Sequence, residues 1–117
     1  MARKLRSLRA SWWALRALGR ARRQLSRSGF RRVDIPAPPE VGDSSLGGVT
    51  RALRRGGASC LERALVLQRW HAAHGRPRDV VIGVARSAGA FKAHAWLDGE
   101  PAEAERPYRE LTRISSR

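Results

Sequence analysis

The chain is nearly without cysteine and short of acid. Cys60 is the single cysteine among 117 residues, which excludes an internal disulfide framework and a cysteine-rich zinc site. A lone thiol fits a reducing compartment, and a cytoplasmic location is expected. No run of about 18 apolar residues occurs, so no spanning helix is expected. The N-terminus is basic but lacks the uninterrupted apolar stretch of a secretory signal. Acids number 10 against 24 Lys and Arg, for a formal net charge of +14. Residues 1–33 hold eleven Lys or Arg and no acid, and Asp34 is the first. Such a charge could meet phosphate backbones, an anionic membrane surface, or an acidic peptide or partner protein. Aromatic interleaving and Gly-rich nucleic-acid signatures are missing, so the preferred reading is a solvated helix face in an arginine-rich protein.

The length suits one domain with a real but modest core. That domain is read as a basic amphipathic helical segment over 1–33, a loop over 34–48 and a core over 49–117. Leu5, Leu8, Trp12, Leu15 and Leu18 recur at helical spacing, which predicts an amphipathic helix over 4–27, with Gly19 as the place where it could break. Its stripe could pack on its own domain, on a partner or on a membrane surface, and own-domain packing is preferred. Pro36, Pro38 and Pro39 forbid a regular helix in the loop. A short helix is expected over 50–55, capped at or near Thr50 and ended by Gly56 and Gly57. Ser59 and Glu62 form a capping-box pattern for a helix over 60–74, with Gly75 and Pro77 as its stop. A β-branched run predicts a strand over 80–85, and a second strand is read over 90–97. Asp98-Gly99 is a two-residue turn signal, and residues 100–105 should return as an edge strand after Pro101. The tail, with Tyr108, Leu111 and Ile114, reads as a last short strand or a docked segment. The expected class is α+β.

The chemistry centres on Cys60, at the first turn of the 60–74 helix. A thiolate is the nucleophile, and a helix N-terminus favours the anion through free N–H groups and the macrodipole. A neighbouring imidazole would complete a papain- or transglutaminase-type pair. His71 is eleven residues along the same helix, about 16 Å at 1.5 Å per residue, and cannot reach. His71 and His74 stand at i, i+3 with no further metal ligands evident, so they read as surface or helix-end residues. His94, on the second strand, remains. If Asp98-Gly99 is a two-residue turn, Leu97 faces Glu100 and His94 faces Glu103 on one side of the hairpin. Glu103 could then orient the imidazole as the acid of a triad; a bulge or a different loop would move that role to Glu105 or Glu100. Against this stands the plain alternative of a small buried cysteine, a satisfied strand histidine and a solvated glutamate. A non-catalytic basic module binding nucleic acid or an acidic protein also stays open.

Cys60-Leu61-Glu62-Arg63-Ala64-Leu65, Val81-Ile82-Gly83-Val84 and Ala93-His94-Ala95-Trp96-Leu97-Asp98-Gly99 together resemble the lasso-peptide leader peptidases, cysteine proteases of the transglutaminase-like, papain-type superfamily. The likeness covers roughly residues 56–105, and the arginine-rich helical segment before it is similar in character. It implies a transglutaminase-like core and a Cys-His-acid peptidase that removes the leader from a ribosomally made lasso precursor. The family's cysteine and histidine fall on Cys60 and His94. The connection from His-Ala-Trp to Asp-Gly is shorter here than in the family, so the acid rests on the register count, which favours Glu103 with Glu105 next. The chain leaves no room for a fused recognition domain, which implies the discrete protease of a split system. Its expected partners are the precursor peptide and a separate leader-recognition protein, with the lasso cyclase a further candidate. No nucleic-acid or membrane partner is expected, and the chemistry needs no cofactor. The backbone N–H of Cys60 is a candidate oxyanion donor, whereas Gln24 and Gln68 do not sit where a papain-like glutamine would. Trp96 shares a strand face with His94 and either shields the site or packs. An acyl transferase using the same site is the rival within the superfamily.

Overall fold

The computed structural model describes residues 2–29, 33–40, 42–87, 89–100 and 108–116. Three helices precede a three-stranded antiparallel sheet: α1 (Ala2–Ser28), α2 (Leu46–Arg55), α3 (Cys60–Ala73), β1 (Val80–Ser87), β2 (Ala90–Leu97) and β3 (Arg109–Ile114). The α+β class therefore holds.

α1 runs unbroken through Gly19. Of the expected stripe only Leu18 is buried; the rest of the buried side is Ala10, Trp13, Ala14, Ala17 and Ala21. Leu5, Leu8, Trp12 and Leu15 are 60%, 57%, 67% and 44% exposed. Close approach between helices explains the reversal. A Cβ on Gly48 of α2 would stand 2.9 Å from the Ser7 carbonyl oxygen of α1. At that separation alanine fits and leucine does not. Apolar periodicity marks the large side chains, whereas the buried side here is mostly alanine, with Trp13 and Leu18 between.

A 3₁₀ turn over Asp43–Ser45 leads directly into α2, which starts at Leu46, earlier than expected. Thr50 lies inside that helix rather than capping it, and its hydroxyl donates to the Gly47 carbonyl. The proline-rich loop is pinned from both sides. Trp13 Nε1 donates to the Pro36 carbonyl, Arg69 Nε to the Ile35 carbonyl, and the Gln24 amide bonds both the N–H and the carbonyl of Asp34. The core gathers α1, α2, α3 and one sheet face around Trp70, which is fully buried with its ring 5.7 Å from that of Trp13.

The strand order is β2-β1-β3. β1 and β2 pair from Val80↔Leu97 to Ser87↔Ala90. β3 lies along the other side of β1, with Val80↔Ile114 and Ile82↔Thr112, and a bulge at Leu111 brings Glu110 opposite Gly83. The tail is thus a strand. The return strand expected from residue 100 has no strand assignment at Glu100, and residues 101–107 lie outside the described part of the chain. Alternation gives the sheet two distinct faces. Val80, Ile82, Ala95, Leu97 and Ile114 pack into the core, whereas Val81, Gly83, His94 and Trp96 belong to the opposite face.

Candidate active site

The tip of α3 is built as its sequence specifies. The Ser59 hydroxyl accepts from the Glu62 N–H at 3.2 Å, and the Glu62 carboxylate accepts from the Ser59 N–H at 2.9 Å. The box is complete, and such a cap contributes about 1 kcal/mol. Arg22 of α1 adds a clamp, donating to the same Glu62 oxygen at 3.1 Å and to the Gly56 carbonyl at 2.7 Å. It also offsets the negative charge that the capping glutamate brings next to the thiol.

Cys60 is exposed at this tip, heading a helix face whose later members Ala64, Leu67 and His71 are buried. Of the first-turn amides, Glu62 N–H is taken by Ser59 Oγ and Arg63 N–H by the Ser59 carbonyl. Those of Cys60 and Leu61 take no such bond among the described residues, and they point where an anion at the helix tip would lie.

α3 packs chiefly against β2, the strand that carries His94. Arg63, one turn after the thiol, pairs with Glu100 just beyond β2 at 3.3 Å. Farther along α3, Gln68 donates to the Arg78 and Ile114 carbonyls at the start of β1 and the end of β3. The helix therefore crosses the end of the sheet with its Cys60 tip on the β2 side. The thiol thus sits on the tip of the helix that packs on β2, and His94 lies on the face of β2 turned away from the core.

His94 lies in a stack of rings. Its centroid is 5.9 Å from Trp96 and 5.2 Å from Tyr108, and Trp96 and Tyr108 are 5.7 Å apart. Gly83 makes room for this cluster, since a Cβ there would stand 2.8 Å from Trp96 Cη2 and 3.0 Å from the Arg109 carbonyl oxygen. Trp96 thus shields one side of the imidazole and packs on the sheet as well. The sequence places Tyr108 in the tail but does not link it to His94, because the two are fourteen positions apart with no periodic relation. A His-x-Trp pair facing a glycine on the neighbouring strand was the available signal for a ring cluster.

Glu103 and Glu105 lie outside the described residues. The described acids near this face already have arginine partners. Glu100 pairs with Arg63. Asp98 and Glu110 each hold Arg113 at 2.8 Å, and Asp79 stands 3.5 Å from the same guanidinium. Arg113 holds the Glu110 carboxyl below its ordinary value, and the Glu110 and Asp98 carboxylates in turn push the guanidinium further up. The remaining histidines serve the other end of α3. His71 is buried rather than at the surface, and its Nδ1 accepts from Arg76 at 3.0 Å. His74 Nδ1 donates to the Trp70 carbonyl at 2.7 Å while its ring lies 4.3 Å from Trp70. Both glutamines are structural: Gln24 pins the loop and Gln68 joins α3 to the sheet. Among the described residues no group of His, Cys, Asp and Glu is arranged to hold a metal.

A capped helix presents a thiol at its tip and packs on a strand that carries a histidine, within an α+β architecture. The chain belongs to the transglutaminase-like superfamily, whose family model matches residues 2–116. That membership points to a cysteine protease or an acyltransferase. No curated protein and no solved structure matches the chain.

Proposed function

We propose that the protein is a cysteine peptidase that removes the leader from a ribosomally synthesised lasso-peptide precursor, together with a separate leader-recognition protein. The observation that carries the reading is Cys60 at the capped tip of a helix packed on the strand of His94. Cys60 Sγ attacks the scissile carbonyl carbon, and the resulting oxyanion takes hydrogen bonds from the Cys60 and Leu61 amides. His94, having accepted the thiol proton, returns it to the leaving amine as the C–N bond breaks and a thioester forms. Water, deprotonated by His94, then hydrolyses the thioester and frees the thiol. Glu103 orients the imidazole, and Glu105 is the alternative for that role.

The test combines the protein, a candidate recognition partner and a precursor peptide, read by mass spectrometry. Hydrolysis yields free leader carboxylate; an acyl transferase would instead leave the leader joined to an amine, and the product mass separates them. Glu103→Ala should slow cleavage more than Glu105→Ala. Equal and small losses would remove Glu103 from the mechanism.

A further inference from the structure

The exposed stripe of α1 has a spacing of its own. Leu5, Leu8, Trp12 and Leu15 are separated by three, four and three residues, the a and d positions of a heptad seam. The e positions flanking that seam are Arg9 and Arg16, and the next one along the helix is Arg23. The helix faces its own domain with the b, c and f positions, among them Ala10, Trp13, Ala14 and Ala17. The seam therefore points away from the core over about 15 Å from Leu5 to Leu15. A groove of about 780 Å³ runs beside it, between the 36–39 loop and a wall that includes Trp12, Arg9, Arg16, Arg20 and Arg23. Among the described residues none of these four arginines makes an ion pair or side-chain hydrogen bond.

We propose that this face docks an amphipathic helix of a partner protein, one with leucine-type residues on its ridge and Asp or Glu along its flanks. Charge complementarity selects that occupant. A second copy of the chain would bring arginine against arginine, because residues 1–33 contain no acid. A bilayer would call for a broad apolar face, whereas a strict a/d stripe is narrow and here has the proline loop standing beside it. Phosphate backbones would engage the arginines without needing the leucines. The proposal is independent of the peptidase reading, since it uses no residue of the Cys60 site.

The test measures fluorescence anisotropy of labelled three-heptad peptides titrated with the full chain. One peptide carries Leu at a and d with Glu at e and g; its twin carries Lys at e and g. The Glu peptide should bind at least about tenfold tighter than the Lys peptide. Trp12→Ala should weaken it about tenfold, with the thermal midpoint unchanged because the side chain is exposed. The triple variant Arg9→Glu/Arg16→Glu/Arg23→Glu should reverse the preference. Equal binding of the two peptides by the wild type, or indifference to Trp12→Ala, would overturn the proposal. So would tighter binding of phosphatidylglycerol vesicles that Trp12→Ala abolishes, or tighter binding of duplex DNA that the triple arginine variant abolishes.

Discussion

Single side chains set the Cys60 tip more than any larger feature does. Ser59, Glu62 and Arg22 converge on one helix end, and the thiol inherits its position from them. Ser59→Ala should lower stability by about 1 kcal/mol, a fall of roughly 4 °C in thermal midpoint for a domain of this size. It should also slow alkylation of Cys60 by iodoacetamide, because the first turn frays. A second residue-scale prediction concerns acid. Arg113 depresses the Glu110 carboxyl below its ordinary value of 4.5. A depressed carboxylate contributes stability that is fully present above the unfolded value and lost as pH falls through the folded one. Urea unfolding should show a constant gap between wild type and Glu110→Gln above pH 4.5 that closes below it. A gap that stays open in strong acid would show that this pair does not contribute.

Elements differ in how much of them the sequence makes legible. The Ser59–Glu62 box and the Gly75 stop define α3 because each is a local bond pattern with a fixed spacing. β2 is legible over its whole length, and its hairpin with β1 follows from two adjacent strand-forming runs joined at Gly89. The buried face of α1 was not legible: which stripe packs depends on how near α2 comes, and that is a property of the pair. Nor was the placement of β3, which follows β2 in sequence yet pairs with β1. Two-residue turns imply nearest-neighbour pairing, and nothing local announces a chain that crosses to the far edge. The places of Cys60 at a helix start and His94 on a strand were readable from local sequence, whereas the ring cluster around His94 needed the sheet. Gly83 tests that cluster. Gly83→Ala should destabilise by about 1–3 kcal/mol through overpacking against Trp96 and the Arg109 carbonyl, and should change the near-ultraviolet dichroism of the tryptophans. An unchanged spectrum with full stability would mean that Trp96 does not lie over Gly83.

At the scale of the molecule, α1 links the two functional faces. Its C-terminal half reaches the Cys60 tip through Arg22, and its N-terminal half carries the exposed seam. The exposed stripe and the Arg22 contact to the Cys60 tip therefore lie on one continuous helix. The charge is divided along the chain, with no acid in the first 33 residues and all ten acids after them. The account stands or falls on Cys60 as a nucleophile. The most direct measurement is the intact mass of the protein after acid quench during turnover of a precursor peptide. The account predicts an added mass equal to the acyl leader fragment, mapped to Cys60, with both adduct and cleavage absent in Cys60→Ala. Leader cleavage that persists in Cys60→Ala would contradict it.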